Sequence, residues 1–254
     1  MKSKKALAFG VLVSIYSFGV VKVTEASLED NSPNKQSVLV SSVKAAIERY
    51  EQTPKENWAF QVSRYENEEG QISSSIEHYT PNVDVSKQWT LTQINGEAPT
   101  PQQINNFVKS KVKDQKRSDK SLSIELRKLI KLDSLTLIKE SENILDINFN
   151  VQLDRLGSDA KDKLQGRLTL NKQYGFIESI VITNKAEFSP MFSATIRDLE
   201  LTIMFVQIND AILLHQQNLN MKGTFAFFSE IDEVSRDVFS NYRFVSDVKL
   251  AGGK

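Results

Sequence analysis

The sequence predicts an α+β fold, a large curved antiparallel sheet with helices packed on its concave side, and three observations carry that prediction. From residue 145 onward apolar and polar residues alternate, the period of a strand with one buried and one wet face. Two earlier segments repeat apolar residues at three- and four-residue spacing, as amphipathic helices do, and strand-like runs separate them. The regular strand-helix alternation of a parallel sheet is missing, which leaves helices laid against an antiparallel one. A sheet this large curls, and helices can plug or cover the apolar side of the curl.

The first segment is for export. Lys2, Lys4 and Lys5 precede the apolar stretch Ala6 to Val21, and Thr24-Glu25-Ala26 sets small residues at a cleavage site before Ser27. Residues 1–26 are therefore expected to be a signal peptide and residues 27–254 a single mature domain. Cleavage removes four lysines and one glutamate, so the exported form is mildly acidic. The chain has no cysteine, which excludes a disulfide scaffold and the acylated cysteine that follows the signal of a bacterial lipoprotein. The expected product is soluble and periplasmic, held together by its core alone.

Leu39, Val43, Ala46, Ile47 and Tyr50 form one face of a first helix that ends before Pro54. Trp58, Phe60 and Val62 alternate in a first strand, Asn67-Glu68-Glu69-Gly70 turns the chain, and Ile72 to Tyr79 returns it. Trp89 and Leu91 lie in a third strand closed by Asn95-Gly96. Thr100, Pro101 and Gln103 have the spacing of a helix N-terminus whose cap and third residue bond reciprocally, and Ile104, Phe107, Val108 and Val112 follow on one face. The run Lys109, Lys111, Lys113, Lys116, Arg117 and Lys120 reads as a solvated basic edge. Residues 124–132 are too short to assign. Strands are then expected at 145–153, 164–170, 176–183, 196–208, 213–228 and 242–248, with Met204, Val206 and Ile208 predicting a second covered face at the end of one of them.

Lys+Arg and Asp+Glu both number 32, so no net charge draws the chain to nucleic acid. The two histidines, His78 and His215, lack the spacing of a metal site. No G-x-S-x-G elbow, phosphate loop or dinucleotide fingerprint occurs, and Ser41-x-x-Lys44 has none of the companion motifs of the penicillin-binding enzymes. Asp198 and Glu200 lie on what the alternation makes the wet side of their strand. The expectation is a protein that is not an enzyme, with no catalytic residue, metal or cofactor.

The run from Trp58-x-Phe60-x-Val62 through a glycine turn to Tyr79-x-Pro81, then Trp89-x-Leu91 and Asn95-Gly96-x-x-Pro99-Thr100 before a helix, resembles the first part of the LolA/LppX superfamily of periplasmic lipoprotein carriers. The resemblance covers about 55 residues and implies an unclosed half-barrel around an apolar cavity, with helices as a lid. It implies that Trp58, Phe60, Val62, Trp89 and Leu91 line or floor the concave face and accept acyl chains. Phe225 and Phe227, which share a face of a late strand, are candidates for the same role. The same seven side chains also fit plain core packing. Two functions follow: binding of a hydrophobic ligand or lipoprotein acyl chain in an apolar cavity, or an envelope interaction protein with a filled core and a protein partner at an edge strand or the basic helix end.

Overall fold

A computed structural model describes residues 33–117, 125–152, 156–226 and 229–246. The predicted signal peptide, Leu153, Phe227 and the end of the last predicted strand lie outside these residues. Eleven antiparallel strands form one sheet that does not close: β1 (Trp58–Glu68), β2 (Gln71–Tyr79), β3 (Trp89–Ile94), β4 (Thr136–Glu140), β5 (Ile144–Asn150), β6 (Leu164–Asn171), β7 (Phe176–Asn184), β8 (Phe188–Met191), β9 (Ala194–Ile208), β10 (Ala211–Phe225) and β11 (Ser229–Phe244). Their order is β3-β2-β1-β11-β10-β9-β7-β6-β5-β4, with β8 paired to β9. The first and last strands thus meet in the middle of the sheet, and the two edges, β3 and β4, are the strands that flank the connection through α2 (Pro101–Arg117) and α3 (Leu126–Leu129). This is the predicted unclosed half-barrel, with β3 and β4 as its two edges.

α1 (Pro33–Gln52) lies on one face of the sheet, called inner here. The five positions fixed by its spacing, Leu39, Val43, Ala46, Ile47 and Tyr50, are all buried, and they share a core with Ile147, Leu168, Ile180, Ile203 and Ile212. The Tyr50 ring meets Phe205 edge to face at 4.9 Å. Pro54 stops the helix, Thr53 Oγ1 donates back to the Arg49 carbonyl at 3.1 Å and accepts from the Ile212 amide at 3.1 Å, so the last turn is tied to β10. Across the sheet, Phe149 reaches over Gly166, where any side chain would collide with the ring, 2.1 Å from a β-carbon. The segment left unassigned in the sequence also joins this core: Leu126, Leu129 and Ile130 are buried beside α1.

The turns form as their residues require. Glu69 and Gly70, and Asn95 and Gly96, all have positive φ, the geometry of tight hairpins. Thr100 Oγ1 accepts from the Gln103 amide at 3.3 Å while Gln103 Oε1 accepts from the Thr100 amide at 2.7 Å, completing the predicted reciprocal cap of α2.

Three expectations fail in whole or in part. The last predicted strand is only the end of β11, which starts at Ser229 and runs through a charged stretch that the alternation did not reveal. The outward side at the end of β9 is covered only in part: Met204 is 37% exposed and Val206 and Ile208 are half-buried, although Leu213, paired with Val206, is buried. Lys111 is not part of a solvated edge; it turns inward, for the reason given next.

Candidate functional site

Cross-strand register places the site. Phe60 faces Tyr79, which faces Trp89, and in the next inward row Val62 lies between Phe239 and Glu77, which faces Leu91. Five of the predicted residues, Trp58, Phe60, Val62, Trp89 and Leu91, therefore gather at one end of the inner face. Trp58, Val62 and Leu91 are buried, while Phe60 and Trp89 are only half-buried. The rings pack on one another: Phe60 to Tyr79 at 5.1 Å, to Tyr242 at 5.5 Å, to Trp89 at 5.8 Å and to Phe239 at 5.8 Å. The Tyr242 hydroxyl donates to the Leu214 carbonyl, and burial raises its pKa.

Phe225 is not among them. It has the inward register but pairs with Ser229 and Ala194 at the opposite end of β10, so it does not extend this floor. Phe227 lies outside the described residues. A shallow depression of about 170 Å³ is lined by Ala59, Phe60, Gln61, His78, Tyr79, Thr80, Asn241 and Arg243, so two residues of the aromatic floor share it with mostly polar neighbours.

One step further along the same face the residues become charged. A single inward row runs Ser75, Arg64, Asp237, Gln217, Ile203, Ile180, Leu168, Ile147, polar at the β2 side and apolar where α1 lies. Arg64 donates from Nε to Glu77 Oε1 at 2.8 Å and from Nη1 to Asp237 Oδ2. Lys111, from α2, donates to Glu77 Oε2 at 2.7 Å with its ammonium 4.3 Å from the Trp89 ring centroid and 5.0 Å from that of Phe107. This is why Lys111 leaves the basic edge: its ammonium meets the Trp89 ring and a buried carboxylate together.

The electrostatics follow from burial and pairing. Burial opposes the Glu77 carboxylate, but Arg64 and Lys111 outweigh it and hold its pKa below the usual value. Burial and the nearby Arg64 lower the Lys111 pKa despite its partner. Asp237 is 1% exposed, and burial, with Glu77 and Glu66 nearby, pushes it up to about 6 against the pull of Arg64. Its second oxygen, Oδ1, accepts no hydrogen bond. Farther along, Glu233 is directly opposite Glu68, and burial with the neighbouring Glu68 and Glu66 raises it to about 7.

α2 covers this end of the sheet differently from α1. It packs mainly on β3 and the short turn Val85–Lys87, and Lys111 reaches across to Glu77 on β2. None of its residues with a described side chain is buried; Phe107, Val108, Lys111 and Val112 are half-buried and Ile104 is 39% exposed. Sequence reasoning missed Arg64, Glu77 and Asp237, although Arg64 continues the phase of Trp58-x-Phe60-x-Val62 and Glu77 is two residues before Tyr79. Among the described residues no group of three or more His, Asp or Glu is arranged to hold a metal ion, and no helix is long and apolar enough to cross a membrane.

No family model matches the sequence, and no curated protein matches it. Among solved structures the chain is similar to a DUF1329 family protein from Desulfovibrio piger ATCC 29098, with 8% identity over 85% of this chain and 96% of that one, at a TM-score of 0.35. It is also similar to a domain named for outer membrane lipoprotein sorting, from Vibrio parahaemolyticus, with 8% identity over 83% of this chain and 95% of that one, at a TM-score of 0.38. At this distance the function has to be argued from the residues.

Proposed function

We propose that this chain is exported to the periplasm, cleaved after Ala26, and binds a hydrophobic ligand or a lipoprotein acyl chain on the inner face of the half-barrel, between α2 and the floor of Phe60 and Trp89. The observation that carries the reading is the state of α2: an amphipathic helix whose apolar side buries nothing completely, held over aromatic side chains that are themselves half-buried. A helix needed for the core would seal its apolar side, as α1 does. An acyl chain inserted there removes apolar surface from water on both sides, worth about 0.8 kcal/mol per buried methylene. Trp58, Val62 and Leu91 form the packed layer that keeps Phe60 and Trp89 in place.

The second reading, an envelope interaction protein with a filled core, has its own support in the sealed packing of α1 against β5, β6, β7, β9 and β10. The two part on one experiment. The mature chain beginning at Ser27 is purified from an envelope fraction, its organic extract is analysed by mass spectrometry, and the chain is titrated with a fluorescent fatty acid. The binding reading expects a stoichiometric co-purifying lipid or saturable binding that Trp89→Asp abolishes while circular dichroism stays unchanged. A lipid-free chain without saturable binding overturns it and leaves the interaction reading standing.

A further inference from the structure

The charged end of the inner face carries an inference about what kind of ligand the proposed site takes, and it rests on the binding reading above. Lys111 makes the contacts that a bound alkylammonium would make. Its ammonium stands over the Trp89 ring at 4.3 Å and donates to Glu77 at 2.7 Å. An ammonium over an aromatic face and against a desolvated carboxylate is a recurrent way to recognise a cation. Here the group that fills the position comes from α2, the loosely seated element, and not from the sheet.

The sheet alone is unbalanced in charge. Arg64 is the cation of this cluster, and against it the inward register sets Glu77, Asp237, Glu66, Glu68 and Glu233. Arg64 is engaged by Glu77 and Asp237 together. An anionic headgroup entering here would find Arg64 already committed and would displace Lys111 at the cost of exposing Glu77 to a second negative charge. A cationic headgroup replaces Lys111 like for like. A second feature of the cluster points the same way: the Asp237 carboxylate is 1% exposed and its Oδ1 has no donor, so the site holds an unmet acceptor in a place where an unmet polar atom is costly.

We propose that the site is selective for an amphiphile with an ammonium group adjoining its apolar chain, and that Lys111 occupies the ammonium position until such a ligand arrives. The apolar chain lies between α2 and the rings of Phe60 and Trp89, the ammonium donates to Glu77, and the Lys111 ammonium swings out to solvent while α2 stays over the chain. Neutral and anionic amphiphiles of the same chain length bind more weakly because they leave the carboxylates uncompensated.

The test uses the whole mature chain at neutral pH and fixed ionic strength, loaded with the neutral fluorescent probe N-phenyl-naphthylamine. Dodecylammonium, dodecanol and dodecanoate compete with the probe in the wild type, Lys111→Ala and Glu77→Gln, with circular dichroism checking each fold. The expected result is that dodecylammonium displaces the probe at about tenfold lower concentration than dodecanol in Lys111→Ala, the factor that one charge-assisted hydrogen bond provides. Wild type keeps the order with a smaller ratio, and Glu77→Gln loses the preference. Should Glu77→Gln not fold, Trp89→Leu reads the same preference through the ring and should reduce it. Equal displacement by all three amphiphiles, or a preference for dodecanoate, overturns the ammonium assignment while the binding reading survives. A wild type that does not take up the probe at all overturns both.

Discussion

α1 and α2 are both amphipathic helices on the same face of the same sheet, and they do opposite things there. α1 buries Leu39, Val43, Ala46, Ile47 and Tyr50 against apolar rows from five strands, whereas α2 leaves Phe107, Val108 and Val112 half-buried over a floor that ends in charge. The difference lies in the sheet as much as in the helices. Beneath α1 the inward positions of β5, β6, β7 and β9 are mostly Ile, Leu and Phe; beside α2 the inward positions pass from Trp89 and Leu91 on β3 to Glu77 on β2 and Arg64 on β1. A helix over aliphatic side chains loses water from its whole apolar side. A helix over a partly polar floor is held by a few specific contacts and can leave at modest cost. In this molecule one half of the half-barrel is therefore core and the other half is a covered surface.

Substitution sharpens that contrast most. Ile47→Ala, in α1, should cost about 2–5 kcal/mol in denaturant unfolding, the usual range for emptying a fully buried site. Phe107→Ala, in α2, should cost on the order of 1 kcal/mol or less and should weaken probe binding instead. Equal costs at the two positions break the distinction. The effect should appear in the unfolding midpoint with unchanged slope, since neither change alters the surface that unfolding exposes by much.

A smaller effect follows from pH. Glu233 has its pKa raised to about 7 by burial with Glu68 and Glu66, and Asp237 is raised to about 6 chiefly by burial. A carboxyl whose folded pKa is raised binds its proton more tightly in the folded state, so stability falls as pH rises from the ordinary carboxylate range to the folded value. For these two groups that window ends at about pH 6 for Asp237 and about pH 7 for Glu233. Glu77, held low despite its burial by Arg64 and Lys111, acts oppositely and contributes stability that is lost only as pH falls toward its depressed folded value. Glu233→Gln removes one of two like charges directly opposed across β1 and β11. It should raise Tm at pH 8 by about 2–4 °C and flatten the dependence of Tm on pH up to neutrality. A variant with unchanged Tm and an unchanged profile would show that Glu233 is solvated like any surface acid.

The regular parts of this architecture were legible because their signals are local. The helical spacing named all five inward residues of α1, the turn pairs Glu69-Gly70 and Asn95-Gly96 took positive φ, and the cap of α2 formed from Thr100 and Gln103. Five of the seven candidate site residues meet because alternation gives the face. Phe225 does not meet them because alternation says nothing about position along the sheet; its neighbours at Ala194 and Ser229 are set by strand pairing. The charged half of the site escaped notice for a different reason. Arg64, Glu77 and Asp237 sit at inward positions, and a reading that assigns polar residues to the wet face puts them outside. The same assumption hid most of β11, whose inward positions include Glu233, Ser235 and Asp237. Lys111 is one lysine of a basic run in the sequence, and only its pairing with Glu77 on β2, a contact between residues far apart in the chain, distinguishes it.

Hydrogen exchange followed by mass spectrometry on the mature chain, read separately for peptides from α1 and α2, distinguishes a core helix from a detachable cover. A core helix exchanges only through global or near-global opening, whereas a cover exchanges through its own local detachment. The α2 amides from residue 104 to residue 114 should exchange on the order of 100-fold faster than α1 amides from residue 43 to residue 50 after correction for intrinsic rates, with no change in α1 when α2 opens. Equal protection of the two helices, rising and falling together with denaturant, would contradict it and make the whole inner face one core.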